Sequence, residues 1–328
     1  MASACSRRVV KTVHISSIIP NLVDDLTRRL PQITLINVPV GCTGEVEKLQ
    51  EAKILLTDPN TAPQHLSKLS KLEWMQLTWA GIDKAIPYIL SQQNTSLKVT
   101  RFGGVFGPAM AQYVIGQIAS WERDFRKLWS DQQKCDWNTD HYSYRVMPKL
   151  TIGILGLGDI GEYVAKMCKA LGMTVWGVGR REKSDRQDTV DHYTTISRLP
   201  EVLQSCDYVC NLLPSTPATK YLLSGRVLES GKDKRPVFIN VGRGNVIDEK
   251  SLIYALDQGW ISGAILDVCE VEPLSKESPL WKMPQVIITP HIAAISFPEE
   301  VAELFAENLL LFEAGEKLKF EVDVEQGY

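Results

Sequence analysis

A glycine-rich turn near the middle of the chain constrains the fold more than any other feature of the sequence. Gly156, Gly158 and Gly161 have the spacing G-x-G-x-x-G. An apolar run with strand character, Leu150–Leu155, leads into the turn, and apolar residues at helical spacing follow it as far as Leu171. The strand, the turn and the helix together are typical of a βαβ unit that binds a dinucleotide, whereas the glycine spacing alone is a weak signal.

Each glycine of this turn has a distinct physical role. Gly156 permits a tight turn, Gly158 lets a pyrophosphate approach the backbone, and Gly161 lets the helix pack closely on the strand. The helix N-terminus adds amide donors and a partial positive charge. We therefore expect the whole turn to contact the cofactor, through Gly156, Leu157, Gly158, Asp159, Ile160 and Gly161. The alternative is an ordinary glycine-rich turn without a ligand.

The end of the next strand indicates which dinucleotide is bound. In NAD-binding units an acidic residue roughly 20 positions past the first glycine holds the ribose hydroxyls. Here the matching position is Gly179, and Arg180 and Arg181 follow it. A glycine does not repel a 2′-phosphate, and two guanidinium groups can bind one through charge-assisted hydrogen bonds. The pattern favours NADP(H) over NAD(H); the alternative is that the arginines are a solvated loop pair.

Short apolar runs alternate with helical patterns in both halves of the chain, which predicts parallel sheets flanked by helices. The strands predicted in the first hundred residues are Val9–Ser16, Ile33–Val38, Ile54–Asp58 and Trp74–Thr78. Those predicted after Lys149 are Leu150–Leu155, Thr174–Val178, Tyr208–Leu212, Val237–Asn240, Ala264–Asp267 and Val286–Thr289. One long helix, Ala109–Trp129, is predicted between the halves, and Pro298–Glu313 is predicted as the last helix. The expected fold class is α/β, with a doubly wound parallel sheet.

Composition excludes several classes of protein. Lys and Arg number 36 and Asp and Glu number 39, so the net charge is −3 and no basic face for nucleic acid is expected. No run of about 18 apolar residues is present to span a membrane. Seven cysteines at scattered spacings predict neither a disulfide framework nor a metal site, and they favour a reducing, cytoplasmic location. The basic residues Arg7, Arg8 and Lys11 leave a short transit peptide open.

Three polar side chains follow predicted strands of the second half. Arg243, Glu272 and His291 each come shortly after one of the last three strands. Residues past the carboxyl ends of parallel strands face the ligand crevice of an open sheet. Reduction of a 2-keto acid needs a cation for the carboxylate and the carbonyl oxygen, and it needs a proton donor active near neutral pH. Arg243 and His291 have those properties, so we expect them to be catalytic.

An acidic partner is expected for the histidine. A carboxylate hydrogen-bonded to an imidazole favours the charged ring, and Glu272 is the candidate for that role. Glu270 is an alternative partner, and a helix-capping role for Glu272 is another. Asp267 is expected to shape the site or to contact the nicotinamide end of the cofactor rather than to transfer a proton, and a purely structural role is the alternative for His291.

Taken together, these motifs resemble those of the D-isomer-specific 2-hydroxyacid dehydrogenase family. The resemblance rests on residues 155–161, 240–274 and 290–294, with a second cofactor loop at Pro214–Thr219. It implies catalytic roles for Arg243, Glu272 and His291. Residues 102–110 and 291–296 are particularly similar to the glyoxylate/hydroxypyruvate reductase branch, which implies NADPH-dependent reduction of small 2-keto acids to D-2-hydroxy acids.

The resemblance also implies a wider set of binding residues. Beyond the glycine turn, cofactor contacts are expected from Arg180, Arg181, Leu213, Pro214, Thr219, Val241, Gly242, Arg243, Asp267, His291 and Ala293. Substrate contacts are expected from Ala80, Gly81, Arg243 and His291. Backbone amides in the turn at Ala80 and Gly81 can hold a small carboxylate, although an ordinary βα turn is the alternative there.

The family's architecture implies a Rossmann domain inserted in a smaller, flavodoxin-like substrate domain. The expected bounds are 1–101 for the first part of the substrate domain, 102–290 for the NADP-binding domain and 291–328 for a C-terminal helix that returns to the substrate domain. A homodimer formed through the long helix after Pro108 is also implied. One departure is Ala293-Ala294, where many members have a glycine pair.

Two other functions stay open from the sequence. Some relatives with this fold are corepressors that sense NAD(P) and bind short peptides. Other relatives are D-lactate or phosphoglycerate dehydrogenases, although no extra basic cluster for phosphoglycerate could be located.

Overall fold

The computed structural model describes residues 9–92, 96–137, 139, 143–180 and 189–323, which divide into two compact units. The first unit is the described part of Met1–Val105 and Ser296–Tyr328, and the second is that of Phe106–Ile295. The boundaries follow Val105 and Ile295 instead of residues 101 and 290. His291 therefore belongs to the second unit, because the residues around it are hydrogen-bonded to Asp267.

A five-stranded parallel sheet forms the centre of the first unit. Its strands are β1 (Thr12–Ser16), β2 (Thr34–Asn37), β3 (Ile54–Thr57), β4 (Trp74–Leu77) and β5 (Lys98–Thr100). Their order, β2-β1-β3-β4-β5, is the flavodoxin-like order, which confirms the fold class expected for this unit. The sequence did not predict β5, because three residues are too few to show an alternating pattern.

Helices on the two faces of this sheet complete the first unit. They are α1 (Leu22–Arg29), α2 (Glu45–Leu49), α3 (Ile86–Leu90) and α9 (Pro298–Ala314). The last helix packs on the sheet through Trp74, whose indole stacks on Phe305 at 5.1 Å and on Phe312 at 5.3 Å. It ends at Gly315, where φ is 70°, and the predicted C-terminal helix is confirmed.

A seven-stranded parallel sheet forms the centre of the second unit. Its strands are β6 (Thr151–Leu155), β7 (Thr174–Gly179), β8 (His192–Thr195), β9 (Tyr208–Asn211), β10 (Val237–Asn240), β11 (Gly263–Leu266) and β12 (Val286–Ile288). The order β12-β11-β10-β9-β6-β7-β8 is the Rossmann order with one more strand. Strand order reverses between β6 and β9, and at such a switch point open α/β sheets bind their ligands.

Five α-helices are described in the second unit: α4 (Phe106–Glu122), α5 (Phe125–Gln133), α6 (Asp159–Ala170), α7 (Leu199–Ser205) and α8 (Glu249–Asp257). The prediction of one helix over Ala109–Trp129 was wrong, because the chain breaks at Asp124. This residue has a left-handed φ of 46°, and its carboxylate accepts a hydrogen bond from the Lys127 amide. Asp124 therefore ends one helix and caps the next.

Apolar side chains cover both faces of the seven-stranded sheet. Alternate residues of a strand point to opposite faces, so Ile154 packs in the cluster with α4 and α6, whereas Leu155 packs in the cluster with α7 and α8. Both side chains are fully buried. The sheet is therefore a rigid platform whose loops carry the candidate site.

Among the described residues, no helix combines the length and the apolar character that a membrane span requires.

Candidate active site

The loops of the second unit that carry the predicted site leave one edge of the seven-stranded sheet. The strand register places a row of paired residues along the carboxyl edge: Val178, Leu155, Asn211, Asn240, Leu266 and Ile288. Gly156, Gly179, Leu213, Arg243, Asp267 and His291 each follow this row by one to three positions. The sheet thus brings the loops of the second unit that were predicted to bind cofactor and to act in catalysis to the same edge.

The glycine turn has the close approaches that the sequence predicted. Gly156 has a φ of 103°, and a Cβ on it would lie 3.1 Å from the carbonyl of Leu212. A Cβ on Gly161 would lie 2.0 Å from the Gly156 oxygen, so only glycine fits there. A Cβ on Gly158 would have no heavy atom within 4 Å. This open space directly before α6 fits a pyrophosphate at the helix N-terminus.

Two other residues of the turn have side chains that belong to the core. Leu157 is buried, and its Cδ1 lies 2.1 Å from the point where a Cβ on Gly177 would be. Ile160 packs against the same cluster. Because both side chains pack into the apolar core, a cofactor contact from either residue would have to come from its backbone.

The residues expected to select NADP(H) lie at the end of β7. Gly179 is the last residue of that strand, and Arg180 follows it with an exposed side chain. Arg181, the second predicted arginine, lies outside the described residues. Sequence reasoning missed Tyr193 on the neighbouring strand β8, whose hydroxyl lies 2.0 Å from the position of a Cβ on Gly179.

The second predicted cofactor loop is held by hydrogen bonds within itself. Leu213 N donates to Asn211 Oδ1, and the Thr219 hydroxyl donates to the Pro214 carbonyl and accepts from the Thr216 amide. The Thr219 side chain therefore shapes the loop.

The chain after β10 packs closely against this second loop. A Cβ on Gly242 would lie 2.9 Å from the Leu213 oxygen, so this contact requires a glycine. Val241, beside it, is buried. Cofactor contacts from Val241 and Gly242 therefore depend on their backbone.

Two buried asparagines hold the backbone of Arg243. Asn240 Nδ2 donates to the Arg243 carbonyl at 3.2 Å, and Asn211 Nδ2 donates to Asn240 Oδ1 at 2.8 Å. Both amides are almost completely buried. The Arg243 side chain is half-buried, and its Nη1 donates to the Gly242 carbonyl at 2.8 Å. The asparagine pair was missed because nothing in the sequence connects positions 29 apart.

The imidazole of His291 is paired with the carboxylate of Glu272. Nδ1 lies 2.8 Å from Glu272 Oε2, while Glu272 Oε1 accepts a hydrogen bond from the Cys269 amide at 3.1 Å. The other candidate, Glu270, is engaged elsewhere, since it accepts from the Tyr221 hydroxyl and from the Glu249 amide. Of the two acids, Glu272 is therefore the partner of His291. The His291 side chain is 52% exposed, and its second ring nitrogen is Nε2.

Asp267 fixes the loop that carries the histidine. Its buried carboxylate accepts hydrogen bonds from the amides of Ile292 and Ala293 and from the Thr289 hydroxyl. Its backbone carbonyl accepts from the His291 amide at 2.8 Å, and His291 has a left-handed φ of 56°. Asp267 thus shapes the loop, and Ala293 of this loop is buried in the apolar cluster.

A tyrosine extends the hydrogen bonding of this loop into α4. Tyr113 Oη lies 2.6 Å from Thr289 Oγ1, which itself donates to Asp267. Burial raises the pKa of Tyr113 to about 12, so the hydroxyl stays a neutral hydrogen-bonding group. This contact was not predicted, because residues 113 and 289 are far apart in the chain.

The predicted substrate residues Ala80 and Gly81 belong to the first unit. They follow β4 at the carboxyl end of its sheet, and the preceding Thr78 hydroxyl donates to the buried carboxylate of Asp58. Asp58 also accepts from the Ser17 hydroxyl. The turn is thus anchored to β1 and β3, and its role toward substrate stays a prediction.

Solved structures with the same fold are similar over nearly the whole chain. A D-isomer specific 2-hydroxyacid dehydrogenase family protein from Aeromonas salmonicida is 31% identical with a TM-score of 0.85, covering 96% of this chain and 100% of that one. An NADPH-dependent glyoxylate/hydroxypyruvate reductase from Sinorhizobium meliloti, solved with NADP and sulfate, is 27% identical with a TM-score of 0.85, covering 97% and 100%. A D-isomer specific 2-hydroxyacid dehydrogenase from Xanthobacter autotrophicus, solved with NADPH and MES, is 29% identical with a TM-score of 0.85, covering 98% and 100%.

A family model gives the same result for the second unit. Residues 115–293, more than half of the chain, match the model described as D-isomer specific 2-hydroxyacid dehydrogenase, NAD binding domain. The match spans the glycine turn, Arg243, Glu272 and His291. The chain therefore belongs to the D-isomer specific 2-hydroxyacid dehydrogenase family.

Proposed function

We propose that the protein reduces small 2-keto acids, such as glyoxylate and hydroxypyruvate, to D-2-hydroxy acids with NADPH. The observation that carries the proposal is the His291–Glu272 pair on a loop fixed by Asp267, at the sheet edge that also carries the glycine turn. When bound, the cofactor's chemistry would be hydride donation to the carbonyl carbon of the substrate. The chain must then supply a proton, hold an anion and orient both.

His291 is the proposed proton donor, acting from Nε2 to the carbonyl oxygen. Glu272 is hydrogen-bonded to Nδ1, so its position orients the ring and directs Nε2 away from the carboxylate. The Cys269 amide holds the other oxygen of Glu272, which fixes the orientation of the pair. General acid catalysis of this kind contributes typically about 10²- to 10⁴-fold to a rate.

Arg243 is the proposed anchor for the substrate carboxylate and the carbonyl oxygen. A guanidinium can bind a carboxylate through two parallel hydrogen bonds and stays charged at every working pH. Asn240 and Asn211 fix the backbone from which the side chain extends. Ala80 and Gly81 of the first unit are proposed as further substrate contacts through their backbone amides.

The preference for NADP(H) is part of this proposal. Gly179 offers no carboxylate to repel a 2′-phosphate, and the exposed residue Arg180 follows it. The reductase from Sinorhizobium meliloti and the dehydrogenase from Xanthobacter autotrophicus were solved with NADP and with NADPH. The proposed cofactor contacts remain the residues of the glycine turn, the loop at Leu213–Thr219 and residues 241–243, 267, 291 and 293.

Assembly and location complete the proposal. We propose a homodimer formed through the helices that follow Pro108 and a cytoplasmic site of action. Light scattering coupled to size-exclusion chromatography tests the dimer, because a single species with the mass of one chain contradicts it. Imaging of the protein in its own cells tests the location, and concentration in an organelle contradicts that part.

A spectrophotometric screen at a wavelength where NADPH absorbs tests the activity. Glyoxylate, hydroxypyruvate, pyruvate and phosphohydroxypyruvate are each offered with NADPH and with NADH. The proposal expects the highest kcat/KM for glyoxylate or hydroxypyruvate with NADPH, and D stereochemistry in the chiral products. Turnover of none of them by a protein that still binds NADPH would instead favour a cofactor-sensing binding protein.

A further inference from the structure

The place where an acidic side chain would extend from the end of β7 is filled by a tyrosine. A Cβ on Gly179 would lie 2.0 Å from Tyr193 Oη and 2.8 Å from Cζ of the same ring. No real Cβ approaches other atoms so closely, so residue 179 can carry a side chain only if the tyrosine ring moves. The glycine is therefore required by its neighbour as well as suited to a 2′-phosphate.

The ring of Tyr193 is held in this place by its strand and by the core. β8 pairs with β7 in parallel, with Tyr193 opposite Gly177. Tyr193 packs against the apolar cluster that contains Leu157 of the glycine turn. Moving the ring away would disturb that packing, so its hydroxyl is a fixed feature of the carboxyl edge.

A tyrosine hydroxyl has the chemistry that this position needs. It carries no charge, so it does not repel a phosphate as an aspartate would, and it can donate one hydrogen bond to a phosphate oxygen. We propose that Tyr193 determines cofactor specificity, by excluding an acidic side chain from position 179 and by donating to the 2′-phosphate of NADP(H). This inference rests on the proposed function and adds a residue to its cofactor preference.

Binding of cofactor fragments tests the hydrogen bond without any turnover. Adenosine 2′,5′-bisphosphate and adenosine 5′-monophosphate differ by the phosphate in question, and calorimetry gives Kd for each. Tyr193→Phe should weaken the bisphosphate about 10-fold, the order for one hydrogen bond to a charged group, and should leave the monophosphate unchanged. Tyr254→Phe, on the surface helix α8, is the matched control and should change neither.

Three outcomes separate this inference from the proposal on which it rests. If wild-type protein binds both fragments equally, the NADP(H) preference itself has failed and the inference falls with it. If wild-type protein prefers the bisphosphate but Tyr193→Phe changes nothing, or weakens both fragments equally, the inference alone is overturned. A selective loss of bisphosphate affinity supports it.

A second pair of variants tests the exclusion of an acid. Gly179→Asp alone should lower Tm and weaken both fragments, because its Cβ overlaps the tyrosine ring. Gly179→Asp with Tyr193→Ser removes the overlap, so affinity should shift toward the monophosphate. If Gly179→Asp alone has the wild-type Tm and prefers the monophosphate, Tyr193 does not exclude the acid. Should the single variant not fold, the double variant and Tyr193→Phe still decide.

Discussion

The two edges of the seven-stranded sheet differ in how their polar groups are used. At the amino edge, Asp207 precedes β9 and accepts hydrogen bonds from the Thr151 amide at 2.8 Å, from Arg145 at 2.6 Å and from Lys234 at 2.8 Å. Arg145 also pairs with Glu122 at the end of α4. The carboxylate is nearly buried, and its charge is balanced by groups of the same chain.

Tyr208 belongs to the same network at the amino edge. Its hydroxyl donates to Glu122 at 2.6 Å, and burial, followed by that hydrogen bond, raises the pKa of Tyr208. The Glu122 carboxylate, the Arg145 guanidinium and the Tyr208 hydroxyl are thus linked where α4, β9 and the chain before β6 meet. Such an arrangement is suited to hold strands and helices in place.

At the carboxyl edge the polar groups are arranged for a ligand. Gly158 faces open space before α6, His291 is 52% exposed, and its Nδ1 is the nitrogen bonded to Glu272. Buried side chains hold the loops at this edge: Asp267 accepts from the Ala293 amide in the His291 loop, and Asn240 donates to the Arg243 carbonyl. Under the proposed function, polar groups at the amino edge stabilise the fold and those at the carboxyl edge serve catalysis, so substitutions at the two edges should separate the two properties.

The largest loss of activity is expected at Arg243. Arg243→Ala removes both carboxylate binding and carbonyl polarisation, so kcat/KM for glyoxylate should fall further than in His291→Asn, which should lose about 10²- to 10⁴-fold. Steady-state kinetics with NADPH measures both. Equal and small effects would argue against both roles.

The next largest effect is expected at Glu272, with its neighbour as the control. Glu272→Gln keeps the shape but removes the charged acceptor that orients the His291 ring, so kcat should fall at least about 10²-fold while NADPH affinity is retained. Glu270→Gln alters a carboxylate two residues away that is bonded to Tyr221 and to the start of α8. It should leave kcat near the wild-type value. If both variants lose the same activity, the assignment of Glu272 is wrong.

A smaller effect is expected at the buried asparagine behind Arg243. Asn240→Asp replaces the donor to the Arg243 carbonyl by an oxygen, so stability should fall by about 1–3 kcal/mol and the KM for the keto acid should rise. Asn308→Asp is the matched control, because Asn308 is fully buried in the first unit and donates to Gln76. Thermal unfolding should show a loss of stability in both variants. A rise in KM that is equal in both would remove the positioning role of Asn240.

The elements that could be predicted are those with a local signal. The glycine turn, most strands and the last helix follow from spacing, burial and stop residues that lie within a few positions of one another. β8 was missed because His192–Thr195 is a polar edge strand, and the break at Asp124 was missed because one left-handed residue leaves the apolar spacing of α4 and α5 unchanged. Local patterns report which faces are apolar, but they do not report single backbone angles.

The residues of the candidate site also divide into those with a local sequence signal and those without one. Arg243, Glu272 and His291 could be named because each follows a strand, and the side-chain chemistry limits the choice. The choice between Glu270 and Glu272 needed coordinates, since only the turn after β11 decides which carboxylate reaches His291. Tyr193 and the Asn211–Asn240 pair depend on register between strands, which no short segment of sequence contains.

The smallest effect on activity is expected at the amino edge, where stability should change instead. Burial acts to raise the pKa of Asp207, but the hydrogen bonds from Lys234 and the Thr151 amide and the charges of Lys234 and Arg145 outweigh it and lower the pKa. Asp207→Asn should cost about 2 kcal/mol of unfolding free energy near pH 7, less than for a fully buried pair because Arg145 is half exposed. The activity of the folded protein should not change.

The lowered pKa of Asp207 also sets the pH at which the stability difference between the wild type and Asp207→Asn disappears. A carboxylate with a lowered pKa in the folded state stabilises the fold above its ordinary pKa of about 3.9, and the contribution is lost as the pH falls through the lower, folded-state pKa. Urea unfolding of both proteins between neutral and acidic pH measures this. The free energy of unfolding of the wild type should exceed that of Asp207→Asn by a constant margin down to about pH 4, and the two free energies should then converge. A variant that keeps its stability but loses turnover would show that the amino edge also serves the chemistry, and the division between the edges would not hold.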